Sequence, residues 1–235
     1  MKSIHASRLW FLAAALASAN PAHAQAAAPS AVDAQVVNSE TFLAAHPDLR
    51  FRLLGLQAFE AGKLEKAMEH FKRAARYADK PSQAMVAELL WAGKGAAMDR
   101  ATAYAWMDLA AERQFKVMLA QRERYWLALT PEEQARALEI GKAVYAEYGD
   151  KVAKPRMEVA LRRARGSSTG SRTGFTGNLR IIIPGPAGEI TLDGSQFYQD
   201  KFWKPADYWA WQAEEWKEMP KGRVDVGPLQ VPATP

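Results

Sequence analysis

Four pairs of residues in this chain of 235 stand 36 positions apart: Ala67 and Ala103, Phe71 and Met107, Ala74 and Ala110, Ala75 and Ala111. A fixed period of that length, with small residues where two helices must approach closely, predicts stacked antiparallel helix pairs. The first pass starts at Phe51 and carries Leu54, Gly55, Ala58 and Gly62 ahead of its register residues. The second carries Ala84, Ala87, Leu90, Gly93, Gly95 and Asp99 before its own, and ends at Phe115. The fold class expected is mainly α: an α-solenoid with a small C-terminal β-hairpin and a Trp-rich helix.

The first pass resembles a tetratricopeptide repeat, on Phe51, Leu54-Gly55, Ala58, Ala67, Phe71 and Ala74. Its closing proline is displaced, since Asp79 stands in that place and Pro81 follows two residues later. The second is similar to the Sel-one-like repeat, on Gly93-x-Gly95, Asp99, Ala103, Trp106 and Ala110-Ala111. Ala96 and Gln114 replace that family's usual valine and glycine. With a weaker third hairpin the resemblance spans roughly residues 50–148. It implies a non-catalytic adaptor, of a kind often bacterial and exported.

Local chemistry supports the helix boundaries independently. Gly62 accepts the left-handed angles of a helix exit without a Cβ penalty. Asp99 can cap the free N–H groups of a helix starting near Arg100. Thr130-Pro131-Glu132-Glu133 combines a capping threonine, a first-turn proline and a capping-box glutamate. The helix that follows is expected to turn Ala135, Leu138, Gly141, Val144, Tyr145 and Tyr148 inward and to close the array. A last helix runs from about Val152 to Arg165. Gly93-Lys94-Gly95 lacks the strand and the further glycine of a phosphate cradle, and reads as a turn.

The flanks differ in character. Residues 1–24 read as a secretory signal: Lys2 and Arg8, the apolar run Leu9 to Ala17, then Ala22-His23-Ala24. That run is too short to span a bilayer, so a soluble chain cleaved after Ala24, periplasmic or secreted, is expected. Removing Lys2 and Arg8 takes the formal charge from +5 to +3. Cysteine is absent, which excludes disulfides, thiolate metal sites and an N-terminal lipidated cysteine. Residues 25–40 read as a tether, 41–165 as the solenoid and 166–178 as a Gly/Ser/Thr linker. Residues 179–235 form the appendage: Leu179 to Ile183 and Glu189 to Asp193 as strands around a Pro-Gly turn, then a Trp-rich helix.

Function is read from what remains. His46 and His70 are the histidines left after export. No spacing pairs them as metal ligands, and solvent-facing or capping positions are expected. No serine nucleophile elbow is expected, no catalytic or metal constellation is visible, and no cofactor is implied. Trp209, Ala213 and Trp216 form one helical stripe suited to docking, which leaves Tyr208 and Trp211 as candidate exposed aromatic contacts. Residues 151–172 hold seven basic residues against Glu158. Arg162, Arg163, Arg165 and Arg172 are therefore candidate anion or partner contacts, although a helix C-terminus also favours cations. Three readings stand: a periplasmic scaffold gripping a protein or peptide in the repeat groove, a binder of an anionic envelope polymer such as peptidoglycan or polysaccharide, and an envelope hydrolase. Export and modest charge argue against nucleic acid.

Overall fold

Both expected N-caps, Asp99 and Thr130, open a helix, and so does Asp79. The computed structural model describes residues 31–169, 180–185 and 188–217, and it is mainly helical. Asp79 accepts from Ser82 N–H at the start of α5 (Lys80–Ala92), and Asp99 accepts from Thr102 N–H at the start of α6 (Arg100–Ala110). Thr130 and Glu133 complete a reciprocal capping box on α8 (Pro131–Tyr148). The described residues fall within one unit, Pro29–Lys217. Among them no helix is long and apolar enough to cross a membrane. The signal-like residues 1–24 lie outside the described residues.

The repeat register coincides with the main core. All eight residues of the 36-residue register are buried. α3 (Pro47–Glu60) packs on α4 (Leu64–Ala75), α5 on α6, and α4 on α5. Gly55 makes the first pairing possible, since a Cβ there would stand 2.5 Å from the Phe71 ring. Gly95 joins successive pairs: its φ is +72°, and a Cβ on it would meet the Leu64 carbonyl oxygen at 2.5 Å. α6 also packs against α7 (Lys116–Ala128) and α8, and α8 against α9 (Asp150–Thr169).

Two expectations about α8 and α9 are corrected. Leu138 is 58% exposed and Ala135 is also exposed. The inner face runs through Ala137, Ile140, Val144, Tyr145 and Tyr148, displaced from Leu138 by one position. Helix α9 continues through Gly166 to Thr169, so the expected linker begins as helix; residues 170–178 lie outside the described residues.

The expected tether is also corrected. Residues Ala31–Val37 form α1 and Glu40–Ala45 form α2. Val36 and Phe42 are fully buried against Phe197, Phe202 and Trp203. These aromatics sit on two short turns, α10 (Gly194–Phe197) and α11 (Asp200–Trp203). A second core thus joins α1 and α2 to the segment after the strands, and Lys201 Nζ closes it on Asp33 Oδ2 at 2.7 Å. Strand β1 (Arg180–Gly185) pairs antiparallel with β2 (Gly188–Asp193), with Ile182 opposite Thr191. Helix α12 (Pro205–Lys217) follows α11 and lays Ala213 and Trp216 against the main core.

Candidate functional site

The turn after α6 sets the site. A 3-10 turn, Ala111–Arg113, ends at Gln114, whose φ of +60° is left-handed. The family resemblance puts glycine there. α7 then starts without a side-chain cap. Arg113, Gln114, Phe115 and Lys116 emerge on one side, facing Lys154 of α9 and Trp209, Ala213 and Trp216 of α12, around a cleft of about 400 Å³.

Two cations of the cleft, Arg113 and Lys154, are held by Asp150, a carboxylate that does not line it. Arg113 forks onto Asp150, Nε donating to Oδ2 at 2.7 Å and Nη2 to Oδ1 at 2.9 Å. Nη2 also donates to the Ala78 carbonyl at 3.0 Å. Lys154 Nζ lies 3.1 Å from Asp150 Oδ2. Both cations approach the Trp209 ring, at 4.9 Å and 5.3 Å from its centroid, within cation–π reach. Trp209 is fixed in turn by its Nε1–H, which donates to Glu158 at 3.3 Å. Burial alone would raise Asp150, but the bonds and charges of Arg113, with Lys80 and Lys154, hold it well below the usual carboxylate range.

Beneath the cleft, Lys80 is almost wholly buried. Its Nζ donates to Gln83 Oε1 at 3.1 Å, the Leu109 carbonyl at 3.0 Å and Glu112 Oε2 at 2.6 Å. It also stands 3.1 Å from Asp150 Oδ1. Burial lowers its pKa, and Asp150 and Glu112 oppose that. Lys80, Arg113 and Lys154 share Glu112 and Asp150, so one positive charge is left over, and Lys116 adds another. Lys116 is exposed and has no acidic partner among the described residues. The lining is rich in donors, and Gln114 supplies its one side-chain acceptor. Such a surface can hold an acceptor-rich anion with an apolar neighbour.

A buried polar cluster fastens α12 on its other face. Tyr208 donates its hydroxyl hydrogen to Asp48 Oδ2, and Gln212 donates to the Tyr208 oxygen at 3.1 Å. Asp48 Oδ1 is buried without a partner among the described residues. His46 is fully buried, with Nδ1 2.8 Å from the Phe42 carbonyl and Nε2 2.9 Å from that of Phe202. A neutral ring can donate to only one of them. Arg52 chelates Asp79 alongside, with Nε 3.0 Å from both carboxylate oxygens.

Several expected site residues lie elsewhere. Tyr208 is fully buried, so it is not an exposed contact. Trp211 is half-buried, 5.1 Å from Phe202 and 5.6 Å from Tyr208 between ring centroids. The stripe does dock, with Ala213 and Trp216 against the main core, but α12 is covered on a second face as well, which buries Tyr208. Arg162 turns back toward Glu158 at 3.9 Å. Arg163 joins Arg76 and Arg156 around a second, shallower cleft of about 450 Å³. Arg165 is half-buried on the same helix, and Arg172 lies outside the described residues. His46 and His70 are both buried and neither faces solvent; His46 does stand at a helix boundary, as the C-cap of α2 and the N-cap position of α3, whereas His70 stacks near Phe51 at 6.3 Å within α4. Gly166-Ser167-Ser168-Thr169-Gly170 does carry the G-x-S-x-G spacing. Its first four residues continue α9, however, whereas a nucleophile elbow turns from strand to helix.

Sequence reasoning missed Arg113, Lys116, Lys154 and Lys80. The available signal was Lys80 directly before Pro81 at a helix start. Among the described residues no group of three His, Asp or Glu is placed to hold a metal ion. No protein-family model matches this chain, and neither a curated protein nor a solved structure is similar to it.

Proposed function

We propose that this chain is a non-catalytic scaffold of the bacterial cell envelope, which binds a protein or peptide partner on a short α-solenoid of Sel-one-like and tetratricopeptide-type hairpins. The buried 36-residue register and the successive helix pairs support the solenoid reading. The signal-like residues 1–24 support export to the periplasm or beyond. The observation that carries the binding role is the cleft of Arg113, Lys116, Lys154, Phe115, Trp209 and Trp216. Aromatic and arginine side chains around a concavity of this size are what partner recognition uses. A second reading, an anionic envelope polymer, draws on Arg76, Arg156 and Arg163 around the shallower cleft.

Affinity capture from an envelope extract, run beside sedimentation with purified peptidoglycan, separates the two. Stoichiometric recovery of a polypeptide is expected. Binding to peptidoglycan alone would favour the polymer, and turnover of a wall substrate would overturn both in favour of a hydrolase.

A further inference from the structure

The cleft selects among partners by the hydrogen bonds it can offer. We propose that it is a carboxylate-recognition site that takes a short acidic segment of a polypeptide, with an apolar side chain next to the acidic one. This rests on the scaffold reading above and narrows it.

Charge complementarity is the first support. Three cations stand on two carboxylates beneath the cleft, and Lys116 stands free of any acidic partner among the described residues, so the opening carries a surplus of positive charge. Arg113 spends Nε and Nη2 on Asp150 and Ala78. Its Nη1 hydrogens have no partner among the described residues and require an acceptor. Held by Asp150 and stacked on Trp209, Arg113 and Lys154 are ordered before anything binds, which reduces the entropy lost on association.

The second support is the shortage of acceptors. A polyol hydroxyl both donates and accepts, and Gln114 is the only lining side chain that can take its hydrogen. A carboxylate-bearing peptide asks for donors instead. The third is the apolar floor. Phe115 and Trp216 pair at 6.4 Å between centroids beside Ala213, an apolar surface against which an aliphatic side chain can lie.

The test is a tryptophan-fluorescence titration of the full chain with an acetylated, amidated hexapeptide alternating Glu and Leu. Its counterpart with Gln for Glu and the acidic polysaccharide polygalacturonate serve as competitors. The Glu peptide should bind about tenfold tighter than the Gln peptide, the factor expected of one charge-assisted contact. Its affinity should fall as salt rises. Lys116→Glu should remove that preference, and because Lys116 is exposed and makes no ion pair among the described residues, the variant should keep the parent circular dichroism spectrum. Equal or absent binding of the two peptides, or a Lys116→Glu variant that still prefers Glu, would overturn the carboxylate inference. Capture of an envelope polypeptide in the same preparation would then leave the scaffold reading standing. Tighter binding of polygalacturonate than of the peptide would replace the peptide by a polyuronate.

Discussion

Tyr208 gives its hydroxyl hydrogen to Asp48 across 160 positions of chain, and both residues are buried. This bond ties α12, which carries two walls of the cleft, to α3. Tyr208→Phe should destabilise the fold by about 1–3 kcal/mol, the usual result of stripping a partner from a buried polar group. Urea unfolding measures it. A loss no larger than that of an exposed control such as Leu127→Ala would mean that the bond does not hold α12.

His46 and Asp48 titrate in opposite senses. Burial lowers His46 from 6.5 to about 4, while the carbonyls of Phe202 and Phe42 pull the other way. Burial, helped by the charge of Asp79, raises Asp48 from 3.8 to about 7, against the Tyr208 bond and Arg52. The depressed His46 stabilises above its unfolded value and loses that contribution as pH falls toward 4. The raised Asp48 stabilises below its unfolded value and loses its contribution as pH rises toward 7. From about pH 4 to about pH 6.5 the slopes oppose each other, each near 1.4 kcal/mol per pH unit at most. The contributions of these two groups should therefore nearly cancel there. Asp48→Asn should gain stability as pH rises, and His46→Gln should lose it. Parallel slopes in the two variants would contradict these assignments.

Gly62 and Gly95 have the same sign of φ but different surroundings. Gly62 has open space around a Cβ position, whereas Gly95 abuts the Leu64 carbonyl. Gly62→Ala should cost about 1 kcal/mol for the left-handed backbone alone. Gly95→Ala should cost clearly more, since its methyl group must also push neighbouring helix pairs away from each other. Equal melting temperatures for the two variants would show that the pairs do not meet at this glycine.

Phe71 fills the space that Gly55 leaves open and is fully buried. Phe71→Ala should cost about 3–5 kcal/mol. A loss under about 1 kcal/mol would place this ring outside a packed core.

The helices were legible because their signals are local. A cap, a left-handed glycine and a 3.6-residue stripe are decided within a few residues, as at Asp99, Gly62 and Thr130. The register of a long amphipathic helix is less sharply marked. On α8, alanine at 137 lies inward and leucine at 138 outward, because the face is set by its neighbours and not by the larger side chain. Long-range pairing was not legible at all. Nothing around Val36 announces Phe197, and nothing around Lys80 announces Glu112 or Asp150. The cleft shares this character: its cations come from 113–116 and 154 and its indoles from 209 and 216. Each reads alone as a surface charge or a core aromatic.

Site-specific photo-cross-linking of the intact chain in its native host tests the binding cleft most directly, with the photoreactive residue placed at Lys116 in one version and at Leu138 in another. Both positions are exposed, and Leu138 lies on the outward face of α8. A discrete polypeptide adduct should form from Lys116 and be absent from Leu138. Adducts of equal yield from both positions, or from Leu138 alone, would contradict recognition in the cleft.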